Sequence, residues 1–297
     1  MVEIAVLLAA YNGVQWLPAQ VESILKQKDV RVTIFVSVDS SSDGTEALIS
    51  QLALDNSQIK VLPCGERFGG AARNFFRLIR DVDFSDFDYV ALSDQDDIWL
   101  ENKLTAAHEK ISSSGACAYS GNVMAFWPDG RKALLNKVQP QRTYDFLFEA
   151  AGPGCTYVLK TADALDFKRF IVANWSRVGE VSLHDWLLYA WFRANGRSWY
   201  MDAVPHMLYR QHASNQFGAN SGFKALVSRL SLLKSGWYRA EVNKISNLLS
   251  DKIQGLPNDL SNETDISRAF LIRNWSKLRR RPRDRIYLLA MVVLGVY

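Results

Sequence analysis

The stretch VTIFVSVDSSSDGT, residues 32–45, holds the pattern that decides the fold. Its first part, residues 32–38, is almost continuously apolar, which is typical of a strand covered by helices on both faces. Small polar residues follow where such a strand would end, and a helical pattern begins at about residue 44. Because crossover helices cover both sides of parallel sheets, the stretch predicts an α/β protein with a mostly parallel sheet.

The same alternation of apolar runs and helical patterns continues on both sides of this strand. Further strands are predicted at 4–10, 59–62, 89–92 and 116–120, and helices at 18–26, 44–53, 70–79 and 99–111. This order predicts a doubly wound sheet. Ligands of such sheets bind beyond the carboxyl ends of the strands, so the residues that directly follow strands are the first functional candidates.

The composition is that of a globular protein that can bury a core. Of the 297 residues, 48% are apolar and 22% are charged, which excludes a largely disordered chain. Cys64, Cys117 and Cys155 are too few and too far apart for a disulfide framework or a zinc cluster, and they indicate a reducing compartment. No basic segment precedes the N-terminal apolar run, which argues against a signal peptide. We therefore expect a cytoplasmic protein.

Two polar clusters follow the first two predicted strands. Tyr11, in the sequence YNG, offers a ring that can stack on a nucleobase, although the same sequence also suits a simple turn. In the second cluster, Asp43 is expected to cap the next helix. Asp39 lies too early to cap that helix, so its carboxylate is available to accept the N3–H of a uracil or thymine ring.

The third cluster, DQDD at residues 94–97, follows the strand predicted at 89–92. Asp94, Asp96 and Asp97 repel one another, and a helix N-terminus, which attracts acids, would account for one or two of them. A third carboxylate calls for a cation. Mg²⁺ or Mn²⁺ suits oxygen ligands of this kind best, so we expect one of these ions as a cofactor.

Three sequences resemble, in the same order, the motif set of family 2 glycosyltransferases with the GT-A fold. They are VDSSSDGT at 38–45, GAARN at 70–74 and DQDD at 94–97. The resemblance covers about residues 1–220 and implies a GT-A glycosyltransferase domain, with a mostly parallel nucleotide-binding sheet flanked by helices. Apolar residues at helical spacing predict that residues 221–297 form a helical C-terminal appendage.

Further sequences are similar to those of bacterial rhamnosyltransferases of surface-polysaccharide biosynthesis. They are GCT at 154–156, HDW at 184–186 and YRQH at 209–212. The chain departs from the family pattern at Val38, where a first acid is usual, and at His184, where a glutamate is usual. It also lacks the Gln-x-x-Arg-Trp motif of processive members, which disfavours a long-polymer synthase.

The resemblance implies a nucleotide-binding role for several residues. Tyr11, Asp39 and Arg73 would hold the base, and Asp94 and Asp96 would bind the ribose, the metal and, through the metal, the diphosphate. The favoured donor is dTDP-rhamnose, and the acceptor is a glycan or a lipid-linked glycan. Thymine and uracil present the same N3 edge, so a transferase for a UDP-hexose or a UDP-N-acetylhexosamine stays open.

The resemblance further assigns Asp185 as the catalytic base and lets His212 reach the metal or the diphosphate. A base on the face of the sugar opposite the leaving group gives a single displacement, which inverts the anomeric centre. The alternatives are that Asp185 caps the helix at 186–192 and that His212 is an ordinary loop histidine. A catalytically inactive nucleotide-sugar-binding scaffold is the alternative of another class, but it would need neither Asp185 nor the acidic cluster.

The C-terminal region is strongly basic. Residues 268–285 contain eight arginines and lysines against one acid, Asp284, and the apolar run 286–297 follows. That run is too short to span a bilayer, which takes about 20 residues. It is expected either to pack in the core or to support peripheral contact with the inner face of the cell membrane, together with the cations at 279–281. Nucleic-acid binding is disfavoured because few aromatic residues are interleaved with these arginines, with none after Trp275.

Overall fold

The computed structural model describes residues 1–212, 236–253, 266–295 and 297. The strands are β1 (Val2–Ala10), β2 (Val30–Val38), β3 (Ile59–Val61), β4 (Tyr89–Ser93), β5 (Ile98–Trp99), β6 (Ala118–Gly121), β7 (Val123–Phe126), β8 (Lys132–Leu135), β9 (Val158–Lys160), β10 (Trp199–Asp202) and β11 (Met207–Arg210). The α-helices are α1 (Leu17–Leu25), α2 (Thr45–Asp55), α3 (Ala71–Asp81), α4 (Lys103–Ser114), α5 (Thr161–Ala173), α6 (Trp175–Val178), α7 (His184–Ala194), α8 (Trp237–Leu248), α9 (Arg268–Arg273) and α10 (Pro282–Leu294). Short 3-10 turns lie at Asp145–Leu147, Gly154–Thr156, Ser250–Lys252 and Trp275–Lys277.

The larger sheet has the strand order β10-β6-β9-β4-β1-β2-β3. β1 pairs in parallel with β2 and β4, β2 pairs in parallel with β3, and β6 pairs in parallel with β10. β9 runs antiparallel to both of its neighbours, β4 and β6. The predicted mostly parallel α/β sheet is therefore confirmed. A smaller sheet of order β5-β11-β7-β8 lies beside it.

The central strand β1 is buried on both faces. Leu7 packs in one core with Phe75 of α3, whereas Val6 packs in the opposite core with Leu17 of α1. Full burial of one such aliphatic side chain contributes about 1.5–3 kcal/mol. Two-sided burial explains why the strand reads as an unbroken apolar run.

The predicted start of one helix is wrong. The pattern suggested a helix from Trp99, but Ile98 and Trp99 form β5 and pair with Leu208 and Met207 of β11. The helix α4 begins only at Lys103. The pairing partner lies more than a hundred residues away, so the local pattern could not indicate it.

The described C-terminal helices α8, α9 and α10 pack on the core that also contains α7. Val242, Phe270 and Leu288 are buried in that core, which agrees with the expected helical appendage. The predicted helical pattern at 223–233 and the predicted boundary between residues 220 and 221 lie outside the described residues.

The expectation of free cations at 279–281 is wrong for two of the three arginines. Arg280 is 2% exposed, and its guanidinium lies 3.2 Å from Asp145 Oδ2 and 3.5 Å from Glu149 Oε2. Arg279 donates a hydrogen bond to the Tyr238 hydroxyl at 3.0 Å. Arg279 also donates to the Phe148 carbonyl at 3.0 Å, so both side chains tie the C-terminal segment to residues 145–149.

The apolar run at the C-terminus is divided between core and surface. Leu288 and Val292 of α10 are buried, whereas Ile286, Tyr287 and Leu294 are exposed. The core-packing expectation is thus met by one face of this helix. In the described parts of the chain, no helix has both the length and the apolar character needed to cross a membrane.

Candidate active site

The acidic loop, residues 94–97, begins where β4 ends. Asp96 Oδ2 lies 2.7 Å from Nε2 of His212. Arg210, at the end of β11, donates from Nε to the Asp96 carbonyl at 2.8 Å and from its backbone N–H to Asp97 Oδ1 at 3.1 Å. These bonds fasten the segment after β11 to the acidic loop. His212 and Asp96, although 116 residues apart in the sequence, are thus in direct contact.

An aromatic ring supports His212 from the other side. The imidazole stacks on Trp16, with ring centroids 5.3 Å apart and planes inclined by 14°. The Arg210 guanidinium also lies over Trp16, 4.6 Å from its centroid. The histidine is therefore held between a tryptophan and a carboxylate, which is more order than a simple loop histidine needs.

A buried donor cluster lies at the base of the loop. Donor atoms of Asp94, Asp97 and Cys155 all lie within 4.8 Å of one another. Asp97 is 1% exposed, and within the described part of the chain its Oδ2 accepts no hydrogen bond. Burial, with the charges of Asp96 and Asp185, raises the pKa of Asp94 to about 7. Burial and the charges of Asp96 and Asp94 also hold the pKa of Asp97 well above its usual range.

These groups suit a hard divalent cation. Crowded, desolvated carboxylates are costly when ionised, and an oxygen without a hydrogen-bond donor is free to bind a metal. The Cys155 thiol differs, because burial and the charges of Asp97 and Asp94 hold its pKa well above its usual range and keep it protonated. The carboxylates therefore fit Mg²⁺ or Mn²⁺, and the thiol does not. The sequence analysis counted Asp97 in the acidic cluster without assigning it as a ligand, and it gave Cys155 no place in the site.

A buried lysine lies near this donor cluster. Lys103 is 2% exposed, and within the described residues its Nζ makes no hydrogen bond. The ammonium lies 3.4 Å from the centroid of the Trp99 ring, a cation–π contact. Burial lowers the pKa of Lys103 to about 7, against the opposing influence of Cys155 and Asp97. Lys103 is a buried positive charge near the acidic loop that the sequence did not indicate.

The acidic loop is also joined to the loop that carries Tyr11. Gln95 accepts a hydrogen bond from the Tyr11 N–H and donates one to the Tyr11 carbonyl, each at 2.8 Å. A Cβ on Gly13 would lie 2.2 Å from Gln95 Oε1, so this close approach requires glycine. The Tyr11 ring is 52% exposed and free to stack on a planar ligand.

Asp39 has a structural role that the sequence did not reveal. It is 4% exposed, and its two oxygens accept backbone hydrogen bonds from Phe68 at 2.8 Å and Gly69 at 2.9 Å. The carboxylate thus anchors the loop before α3. The expected N-cap role of Asp43 is wrong, because Gly44 is the N-cap of α2 and no side chain caps this helix; Asp43 Oδ1 instead accepts the Thr45 N–H at 3.0 Å from one residue further back.

Arg73 lies on an exposed face at the start of α3. Its Nε donates to the Gly179 carbonyl at 2.8 Å, and both residues line a groove of about 540 Å³. Glu180, Ser182 and Trp237 also line this groove. No described contact joins Arg73 to Asp39 or Tyr11 directly.

Asp185 lies in the first turn of α7. The residue before that helix is Leu183, so Asp185 is not its N-cap, although Oδ1 accepts the Trp186 N–H at 2.8 Å. Burial raises the pKa of Asp185 to about 6, and the Lys137 charge partly opposes this rise. A Cβ on Gly154 would lie 3.0 Å from the Asp185 Cβ, so a glycine turn lets the carboxylate reach the cleft.

A parallel sheet with a buried acidic loop at its strand ends, and a separate carboxylate facing that loop, is the arrangement of a GT-A glycosyltransferase. The chain belongs to glycosyl transferase family 2, whose sequence profile matches residues 5–158. The predicted family and the predicted enzyme class are therefore confirmed.

Individual relatives agree with this assignment. The chain is 45% identical to dTDP-rhamnosyl transferase RfbG of Shigella flexneri over 291 residues, which cover 98% of this chain and 100% of that protein. It is 28% identical to the UDP-Glc:alpha-D-GlcNAc-diphosphoundecaprenol beta-1,3-glucosyltransferase WfgD of Escherichia coli over 52% of this chain and 59% of that protein.

The fold matches solved glycosyltransferases at low sequence identity. Staphylococcus aureus TarS 1-349, solved in complex with UDP-GlcNAc, superposes with a TM-score of 0.56 and 14% identity over 99% of this chain and 82% of that one. The chain spans 44% of the longer TarS structure. At this identity the likeness establishes the GT-A fold alone.

Proposed function

We propose that this protein transfers L-rhamnose from dTDP-rhamnose, with inversion, to a glycan or lipid-linked acceptor in bacterial surface-polysaccharide biosynthesis. The observation that carries the proposal is the convergence of Asp185, the acidic loop and His212 in one cleft, in a chain that is 45% identical to a dTDP-rhamnosyl transferase along its whole length. The named acceptor of WfgD, a diphosphoundecaprenol-linked sugar, supports a lipid-linked acceptor.

The donor nucleotide would lie between the Tyr11 loop and the acidic loop. The exposed Tyr11 ring would stack on thymine. Asp39 keeps acceptor capacity beyond its bonds to the residue 68–69 backbone and would receive the thymine N3–H. Arg73, which faces the groove near Gly179, would approach the nucleotide from α3.

The metal site would be formed by Asp94 and Asp96, with His212 and the unpaired oxygen of Asp97 available nearby. A divalent cation bound there supplies positive charge that stabilises the departing nucleoside diphosphate. Gln95 would hold this loop against the Tyr11 loop through its two hydrogen bonds to the Tyr11 backbone.

Asp185 would accept the proton of the attacking acceptor hydroxyl. A carboxylate with a pKa of about 6 is still mostly ionised at pH 7, and it is a stronger base than an ordinary aspartate. The Lys137 charge stabilises its ionised form.

A panel of nucleotide sugars tests the proposal. The purified protein is given dTDP-rhamnose, UDP-glucose or UDP-N-acetylglucosamine with Mg²⁺ or Mn²⁺, and release of the nucleoside diphosphate is measured. We expect dTDP-rhamnose to be used at least tenfold better than either UDP-sugar, and NMR of the product to report an inverted anomeric centre. Preference for a UDP-sugar would favour the second candidate, a UDP-hexose or UDP-N-acetylhexosamine transferase.

Peripheral contact with the inner face of the cell membrane belongs to the same proposal, with a cytoplasmic location. The exposed side of α10 supports it, because Ile286, Tyr287 and Leu294 face away from the core beside the exposed cation of Arg283. Such a helix suits reversible surface binding.

A further inference from the structure

Two cations lie side by side at the end of the β7–β8 hairpin. The Arg281 guanidinium donates a hydrogen bond to the carbonyl of Asn136, the residue directly before Lys137. The Lys137 backbone N–H is in turn fixed by Asn122 Oδ1 at 2.7 Å. Lys137 is exposed and Arg281 is half-buried. Within the described residues, neither side chain forms an ion pair with an acid.

Neighbouring arginines have the carboxylates that these two lack. Arg280 pairs with Asp145 and Glu149, and Arg279 lies 3.6 Å from Asp284. Lys137 and Arg281 therefore have no ion-pair partner of their own among the described residues, although the charges of Glu149 and Asp185 act on Lys137 from a longer distance. Partial desolvation, followed by the charges of Arg281 and Arg279, lowers the pKa of Lys137. Two like charges that are held close together repel each other, and binding of an anionic ligand would offset this repulsion.

A glycine turn connects this pair with the proposed catalytic base. A Cβ on Gly152 would lie 3.6 Å from the Lys137 Cβ, and one on Gly154 would lie 3.0 Å from the Asp185 Cβ. Lys137 and Asp185 thus flank the same turn, 152–154. An acceptor that presents its hydroxyl to Asp185 would pass close to Lys137.

We propose that Lys137 and Arg281 form an anion subsite for the phosphate or diphosphate group of a lipid-linked acceptor. Lysine and arginine are the usual protein ligands of phosphate oxygens. The donor diphosphate belongs at the acidic loop, so an anion on this side of Asp185 comes from the acceptor. The inference rests on the proposed function, because it presumes an acceptor that Asp185 deprotonates.

The subsite can be tested by binding, apart from catalysis. Farnesyl diphosphate, a soluble lipid diphosphate, is titrated into the full-length protein with EDTA and saturating dTDP present, so that the donor site is filled and metal-free. Isothermal calorimetry compares the unchanged protein with Lys137→Gln, Arg281→Gln and the matched control Arg283→Gln, an exposed arginine two residues away. Farnesol serves as the neutral probe.

We expect each of Lys137→Gln and Arg281→Gln to weaken farnesyl diphosphate binding about tenfold, with no change for Arg283→Gln and no measurable affinity of any form for farnesol. Lys137→Arg should retain affinity. Unchanged binding in both glutamine variants would overturn the subsite. The subsite would also be overturned if these glutamine variants lost binding to anionic vesicles but kept farnesyl diphosphate binding, because the two cations would then recognise lipid headgroups. Failure of rhamnose transfer would refute the proposed function and leave this binding result standing.

Discussion

The acidic loop at 94–97 and the arginine run at 279–281 are both dense clusters of like charge in the sequence, and the fold treats them in opposite ways. Arg280 is buried against two carboxylates, whereas Asp97 is buried with an oxygen that accepts no hydrogen bond in the described structure. The comparison teaches that a run of like charge indicates a ligand only where the fold leaves the charge uncompensated.

The charge of Arg280 is compensated by two acids, and among its side-chain nitrogens only Nε forms no hydrogen bond in the described structure. Its partner Asp145 is fully buried and also accepts a hydrogen bond from the Tyr189 hydroxyl at 2.9 Å and from Arg193 at 3.2 Å. Buried charges are tolerated only when they are paired and hydrogen-bonded in this way. Both Tyr189 and Arg193 lie on α7, the helix that begins beside Asp185, so the basic segment supports the site without entering it.

The largest effect is expected for the acidic loop. Asp96→Ala removes a proposed metal ligand and should lower transfer from dTDP-rhamnose by about 10³-fold or more, measured as dTDP release with Mn²⁺. Asp86→Ala, at an exposed acid before the opposite end of β4, should stay within about twofold of the unchanged enzyme. Activity that survives both Asp96→Ala and full chelation would mean that the acidic loop needs no cation. The contrast between the acidic loop and the arginine run would then be wrong.

The next effect concerns Asp185. Asp185→Asn keeps the shape but cannot accept a proton, so turnover should fall by about 10²- to 10³-fold while donor binding persists. Because burial raises the pKa of Asp185 to about 6, turnover of the unchanged enzyme should decline as the pH falls through about 6, where the base becomes protonated. A flat profile from pH 5 to 8, with near-normal turnover of the variant, would place the base elsewhere.

The arginine run is expected to matter for stability instead. Arg280→Met leaves Asp145 buried with less compensation and should lower the free energy of unfolding by about 3 kcal/mol in urea denaturation. Arg283→Met, at an exposed site, should change it by no more than about 0.5 kcal/mol. Equal effects at the two positions would show that the buried ion pairs are not what distinguishes Arg280.

The smallest effect is expected at the membrane-facing side of α10. Tyr287→Ser should reduce partition onto anionic vesicles by about threefold to tenfold in a sedimentation assay, since one exposed aromatic ring is lost. Val204→Ser, an exposed apolar site on another part of the chain, serves as the control. If the unchanged protein ignores such vesicles at low salt, the membrane contact is refuted.

Local patterns predicted most of the sheet, because strands such as β1 and β2 are buried on both faces and therefore read as apolar runs. They failed at Trp99, whose strand exists only through pairing with β11. The predicted roles of Asp94, Asp96, Asp185 and His212 remain predictions, although the structure brings these residues into one region. The sequence could not show which distant residue contacts each of these acids and bases.

The site residues that sequence reasoning missed share one property. Cys155 looks locally like an ordinary core residue and Lys103 like an ordinary exposed helix residue, and only the folded structure shows that both are buried beside the acidic loop. The bonds from Asp39 to the backbone at residues 68–69 are likewise long-range. Such long-range contacts can be identified only from the three-dimensional arrangement of the strands.

The pairing of Arg280 with Asp145 also bears on how the chain folds during synthesis. The two residues are 135 positions apart. A ribosome adds about 5–20 residues per second, so Asp145 would wait roughly 7 to 27 seconds for its partner. During that interval Asp145 would have Arg193 of α7 as a counter-charge but would still lack Arg280. Arg280 would then complete the buried ion-pair network beside α7 long after Asp145 was synthesised.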